Sequence, residues 1–165
     1  MNQIYLLRHG IAVPHGDPDY AERDRPLTPK GEKRIRQVAG GLLQLDLELD
    51  AILSSPFPRA WRTAEIVAEV LGESKRLERA DELAADNDAL SIQDWLGTRR
   101  EQRLMLVGHN PSLSDLVSLL IGLPSEVSVF ELRKGGIAAL SGQWGHPMRL
   151  DWLGTPRLLR NLAED

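Results

Sequence analysis

The 165-residue chain contains no cysteine, which excludes disulfides, thiolate nucleophiles and sulfur-ligated zinc and leaves the redox compartment open. No apolar stretch approaches the ~20 residues needed to cross a bilayer. The N-terminus also lacks the basic-then-apolar pattern of a signal peptide. A soluble, cytoplasmic protein is therefore expected. Excess positive charge is missing as well: 20 Lys and Arg face 24 Asp and Glu, for a formal net charge of −4. The overall field attracts neither nucleic acid nor an anionic membrane, so neither is expected as a partner and any basic site has to be local. Aromatic residues make up only 5%. The four tryptophans, Trp61, Trp95, Trp144 and Trp152, show no stacking pattern and read as core or edge packing.

What is present suits one globular domain across residues 1–165: 42% hydrophobic residues, with ordinary glycine and proline usage. The apolar run from Ile4 ends in Leu6-Leu7-Arg8-His9-Gly10, the pattern of a buried strand delivering a charged pair to its carboxyl end. A loop rich in Pro, Gly, Asp and Arg follows over 11–28. Thr28-Pro29 then reads as an N-cap with proline at N1. The helix it starts carries Ile35, Val38, Ala39, Leu42 and Leu43 at helical spacing, and Gly40-Gly41 weakens its last turns. Asp50 to Ser54 is a second strand, and Ser55-Pro56 repeats the cap-plus-proline signature for a helix that ends at Gly72. A short strand is expected around Arg76 to Glu78 and a helix over Ala89 to Leu96. Arg103 to Gly108 is a third clear strand, after which Asn110 caps a helix starting at Pro111. From Val127 the period changes to two, predicting strands at Val127–Leu132, Ile137–Leu140 and Met148–Leu153, then a last helical turn or two around Pro156 to Leu162. Strands alternating with helices, followed by a run of strands, predict an α/β fold: a three-layer α/β/α sandwich with a mixed, mostly parallel sheet.

The same local design occurs three times, as an apolar strand followed by a polar break and a helix. The breaks carry Arg8-His9, Ser54 to Arg59, and His109. If the strands are parallel neighbours, all three open onto one crevice at their carboxyl ends. Two imidazoles and two guanidiniums beside helix N-termini make a concentrated anion site suited to phosphate or sulfate. Arg62 competes with Arg59 from nearly the same helix face but lies further from the helix start, where a rim contact or a solvated charge is expected. His15 and His146 lie in loops beside Gly and Pro and read as surface residues.

These motifs resemble the histidine phosphatase superfamily, which contains the phosphoglycerate mutases. The resemblance rests on Arg8-His9-Gly10 after a strand, on Ser54-Ser55-Pro56 with Arg59 and Thr63-Ala64-Glu65, and on Gly108-His109-Asn110-Pro111. Compact size and Arg25-Pro26-Leu27-Thr28 make the chain most similar to the SixA-type phosphohistidine phosphatases, and Pro156-Arg157-Leu158-Leu159 extends the likeness almost to the C-terminus. The resemblance implies that His9 is the nucleophile, forming a phosphohistidine intermediate that water hydrolyses. It implies too that Arg8, Arg59 and His109 hold the phosphoryl oxygens. Phosphoryl transfer mostly needs positioning and charge stabilisation, which cations in a dry pocket supply, so no metal or cofactor is expected. To attack, His9 Nε2 has to be unprotonated, which puts the ring proton on Nδ1, with a backbone carbonyl as its acceptor. Arg25 is a candidate phosphate contact from the 11–28 loop, with surface ion pairing as the alternative.

The general acid stays open. Glu82 in Asp81-Glu82-Leu83 is the best positional match to the larger superfamily members, and Glu22 or Asp24 competes in the compact subfamily. An imidazole leaving group needs less help from an acid than an alkoxide does. The expected partner is a phosphorylated protein, such as a histidine phosphotransfer domain. The alternatives are a small phosphoester or nucleotide turned over by the same mechanism, a non-catalytic phosphate-binding adaptor, and, as a minor option, a histidine-ligated metalloenzyme.

Overall fold

The computed structural model describes residues 1–124, 126–127 and 129–163. Its strands are β1 (Asn2–Arg8), β2 (Ala51–Ser54), β3 (Leu77–Arg79), β4 (Arg103–Gly108), β5 (Ile137–Gly142) and β6 (Arg149–Gly154). Its helices are α1 (Pro29–Leu43), α2 (Pro58–Leu71), α3 (Ala89–Leu96), α4 (Ser112–Leu120) and α5 (Pro156–Leu162). The strands form one sheet in the order β3-β2-β4-β1-β5-β6. β3, β2, β4 and β1 pair in parallel, β5 runs antiparallel to β1, and β6 runs antiparallel to β5. The mixed three-layer α/β/α sandwich expected from the strand–helix alternation is the fold observed.

The central strands are apolar and buried over Ile4–Leu7, Ala51–Leu53 and Leu104–Val107 because both faces are covered there. Ile4 and Leu6 of β1 pack with α3 and α4, while Tyr5 and Leu7 pack with α1, α2 and α5. On α1 the stripe Ile35, Val38, Ala39 and Leu42 is at most 1% exposed. Thr28 caps the helix, its Oγ1 accepting from Gly31 N at 2.9 Å. The Gly40-Gly41 pair does not end α1 early. A Cβ on Gly41 would stand 1.9 Å from the Leu159 carbonyl oxygen, so the missing side chain is what lets α5 lie directly on α1.

Three expectations need correction. Helix α2 starts at Pro58, not at Ser55-Pro56, because Ser55 Oγ accepts from Phe57 N at 3.2 Å and closes a tight turn before the helix. Helix α4 starts at Ser112, one residue after the cis Asn110–Pro111 bond. Asn110 still serves its first turn, with Oδ1 accepting from Ser114 N at 3.3 Å and Ser114 Oγ at 2.9 Å. The strand expected over Val127–Leu132 is absent among the described residues, which exclude Ser128. At its end the Leu132 backbone bonds to side chains: N–H to Ser114 Oγ, and carbonyl to Asn110 Nδ2 and Arg8 Nη1. No ladder partner remains for it.

Candidate active site

The registers of β1, β4 and β2 bring their carboxyl ends level: Arg8 opposes Gly108, and Ser54 opposes Val107. The pairing continues one step past the strands, with His9 N donating to Gly108 O and Ser55 N to Val107 O, each at 3.0 Å. Backbone bonds therefore fix where the side chains of His9, Ser55 and His109 emerge. The two imidazole centroids lie 5.2 Å apart, and the His109 ring meets Phe57 at 5.3 Å in an edge arrangement.

His9 is 6% exposed. Its Nδ1 is 2.7 Å from the Gly10 carbonyl, and since a carbonyl only accepts, Nδ1 carries the proton and Nε2 presents its lone pair. Gly10 N in turn donates to Thr63 Oγ1 at 3.1 Å, and Thr63 Oγ1 donates to Arg59 O at 2.8 Å. The nucleophile candidate and the helix carrying Arg59 are thereby tied together. Burial pushes the His9 pKa down to about 3, reinforced by the Arg59, Arg8 and Lys134 cations. His109, 2% exposed, is pushed to about 2 by burial and then by His9, Arg59, Arg25 and Arg8. Both rings are neutral at physiological pH.

The guanidiniums complete the cradle. Arg8 Nη1 donates to Leu132 O at 2.8 Å and stands 3.5 Å from the largely exposed Glu131 carboxylate. Arg59, 4% exposed, donates from Nη1 to the Glu22 carbonyl at 3.0 Å. Arg8 Nε, Arg59 Nε and His109 Nδ1 are buried with no protein partner. Unpaired buried donors cost about 1–3 kcal/mol each, and an oxyanion supplies the acceptors they lack. Among the described residues, no three His, Asp or Glu side chains are grouped to hold a metal ion.

The loop-borne candidates sit differently. Arg25 is buried and grips Glu22 through two bonds, Nε to Oε2 at 3.0 Å and Nη2 to Oε1 at 2.8 Å, while Nη1 donates to Val13 O at 2.7 Å. His15, exposed as expected, adds a contact of 2.8 Å from Nδ1 to the same carboxylate. Hydrogen bonds from Arg25 and His15 hold the Glu22 pKa down at about 2. The Glu22 carboxylate is 3.9 Å from Arg59 Nη2, so the Arg25–Glu22 pair borders the site, and the Arg25 cation itself acts on His109 and Arg59. Asp24 and Glu82 are exposed, with no side-chain hydrogen bond among the described residues, and Glu82 lies on a 3-10 turn, Asp81–Leu83, beyond edge strand β3. Arg62 is held by Glu32 at 2.9 Å and Glu65 at 3.5 Å, away from the cradle.

Sequence reasoning missed the supports: Ser55 beside His109, Thr63 beneath Gly10, and the Asn110–Ser114–Leu132 latch that seats Arg8. Depressions of about 370 Å³ and 500 Å³ flank Arg8, the first lined by Asn110, Ser114 and Phe130, the second by Ile11, Lys134 and Pro156. Another of about 460 Å³, lined by Gln93, Trp144 and His146, opens at the opposite end of the sheet.

The family model of the Histidine phosphatase superfamily (branch 1) matches residues 4–87, a span that holds Arg8, His9, Arg59 and Glu82 and stops short of His109. An uncharacterized protein of Picosynechococcus sp. is 38% identical over 143 residues, covering 84% of each chain. The phosphohistidine phosphatase SixA of Escherichia coli is 29% identical over 121 residues, covering 72% of this chain and 73% of the relative. The structure of the protein histidine phosphatase SixA complexed with tungstate superposes with a TM-score of 0.81 at 25% identity, covering 95% of this chain and 99% of that one. The chain belongs to branch 1 of the histidine phosphatase superfamily and is an enzyme of the phosphatase or mutase type.

Proposed function

We propose that residues 1–165 form one domain that hydrolyses phosphohistidine on a protein, with His9 as the nucleophile. His9 Nε2 attacks phosphorus in line while Arg8, Arg59 and His109 hold the phosphoryl oxygens. The bond to the leaving group breaks and a phosphohistidine forms on His9. Water then attacks that phosphorus, releasing phosphate and returning His9 to its neutral form. The observation that carries this reading is the His9 Nδ1–Gly10 bond, which leaves Nε2 unprotonated, in a site where the nitrogens Arg8 Nε, Arg59 Nε and His109 Nδ1 are buried without a protein partner. Such a cradle stabilises the charge of the transferring group without cofactor chemistry.

The substrate class follows from what surrounds the cradle. Between α2 and β4 the chain holds only two 3-10 turns, β3 and α3, and α3 packs on α4 in the core. That leaves no inserted cap over the site from this stretch, which suits a phosphorylated side chain on another protein. The likeness to SixA supports the same choice. The imidazole of a phosphohistidine is a good leaving group and tolerates an acid held only loosely.

The test is His9→Ala assayed on a phosphorylated histidine phosphotransfer domain and on a panel of small phosphoesters. Turnover falls by about 10⁴-fold or more on every substrate, and labelled phosphate becomes trappable on the unsubstituted protein alone. Activity persisting in the variant overturns the mechanism. Preference of the unsubstituted protein for small esters overturns the substrate class but leaves the nucleophile in place, and full activity in chelator removes the metalloenzyme reading.

A further inference from the structure

We infer that Ser55 is a positioning residue that fixes the tautomer of His109, so that His109 meets the phosphoryl group as a neutral Nδ1–H donor. The inference rests on the reading of His109 as a phosphoryl-oxygen ligand and asks how a neutral ring does that work.

Ser55 is fully buried, and its hydroxyl has two neighbours. Phe57 N donates to Oγ at 3.2 Å, and His109 Nε2 lies 2.8 Å from Oγ. A hydroxyl has one proton to give and two lone pairs to offer. Phe57 N–H can only donate, so it takes one lone pair. The hydroxyl proton then needs an acceptor, and among the described residues His109 Nε2 is the one within reach. Ser55 therefore donates, Nε2 accepts, and the single proton of the neutral ring sits on Nδ1. That nitrogen is buried with no protein partner, which leaves its N–H for an anion. In the opposite tautomer Nε2–H would point at Ser55, stranding the hydroxyl proton, and a lone pair on Nδ1 would meet phosphoryl oxygens with repulsion.

The backbone makes the arrangement rigid. Ser55 N is held by Val107 O at 3.0 Å, on strand β4, which leads directly into His109, so hydroxyl and ring cannot drift apart independently. Full protonation of the ring is the other route to a donor at Nδ1, but burial and the neighbouring Arg8, Arg25 and Arg59 cations oppose it. A fixed neutral tautomer supplies the donor without adding a charge to a site already crowded with positive ones.

Long-range proton–nitrogen NMR on histidine-labelled protein reads the tautomer directly, with the His109 signals assigned through His109→Gln. The unsubstituted protein shows the Nδ1–H pattern. In Ser55→Ala the Nε2–H form becomes populated, and inorganic phosphate binds about tenfold or more weakly. Ser55→Thr retains the hydroxyl, the pattern and the affinity. If Ser55→Ala does not fold, Ser55→Cys, which has only a weak donor, takes its place in both measurements. An Nε2–H pattern in the unsubstituted protein overturns the inference, as does a hydroxyl-free variant with unchanged tautomer or unchanged phosphate affinity. Neither readout involves turnover, so failure here is distinguishable from failure of the proposed hydrolysis.

Discussion

The two sides of the cradle are built by different means. Arg8, His9, Ser55 and His109 stand at the ends of neighbouring strands, where backbone bonds carry the ladder one residue past β1 and β2. Glu22 and Arg25, which border the cradle at Arg59, arrive on a 3-10 turn and its end, and the other carboxylate candidate, Glu82, sits on a separate 3-10 turn; both carboxylates are exposed. The strand side keeps its ionisable groups dry and leaves donors unpaired for an anion. On the loop side charges are already spent on one another, Glu22 against Arg25 and His15. On the proposed mechanism, the groups that would hold the phosphoryl oxygens are preorganised by strand ends, whereas the candidate proton donors Glu22 and Glu82 are exposed on 3-10 turns.

The largest break in that comparison comes from the strand side and its helix. Arg59→Ala removes a buried donor from the cradle together with its bond to the Glu22 carbonyl. Turnover of phosphohistidine and of alkyl phosphates falls together, by about 10²–10³-fold, the range seen when one preorganised charge-stabilising donor is lost. Arg62→Ala, which loses only Glu32 and Glu65, changes kcat/KM by less than about threefold. Similar losses in the two variants, measured as kcat/KM on both substrate types, would break the distinction between cradle and rim.

Glu82→Gln sharpens the loop side. An alkoxide leaving group needs its proton more than imidazole does, so hydrolysis of alkyl phosphates slows about 10–100-fold while phosphohistidine hydrolysis is nearly unchanged. Glu22→Gln acts through another route. It frees Arg25 and weakens the field around Arg59, so both substrates suffer alike, by about tenfold or less. Side-by-side kcat/KM ratios decide which carboxylate serves as the acid. A selective loss in Glu22→Gln and an even one in Glu82→Gln would exchange the two assignments.

The strand side was legible in the sequence because its signals are local. Apolar runs that stop on Arg8-His9 and Gly108-His109 announce strand ends, and parallel order then brings them together. The loop side was not legible, since the Arg25–Glu22 pair depends on where an 18-residue loop crosses the site (residues 11–28). The same limit explains the misplaced start of α2. Pro56 and Pro58 both suit a helix start, and only the Ser55–Phe57 turn chooses between them. Likewise the two-residue period at 127–132 reflects Leu132 turning inward while its neighbours stay out, yet its backbone groups are consumed by Arg8, Asn110 and Ser114.

The remaining expected effect concerns stability and not turnover, and it weighs the two sides against each other through pH. His9 and His109 have folded pKa values of about 3 and about 2, below the unfolded value of roughly 6.5. Between about pH 6.5 and 3 the unfolded chain therefore binds more protons than the native one, so stability rises with pH and falls on acidification. At pH 5 each histidine contributes a loss of about 2 kcal/mol, from the ~1.5-unit gap below its unfolded pKa. Glu22 has the same sign but acts later. Its folded pKa of about 2 makes its contribution present above an unfolded value of roughly 4.3 and lost only as pH falls below it. Thermal unfolding in buffers free of phosphate and sulfate should show Tm dropping by about 5–15 °C between pH 6.5 and 5. The double variant His9→Gln, His109→Gln should flatten that window, and Glu22→Gln should leave it intact. A flat profile for the unsubstituted protein would mean that the two rings are not held neutral by burial, which would remove the physical basis for contrasting the dry imidazoles of the strand side with the exposed carboxylates of the loop side.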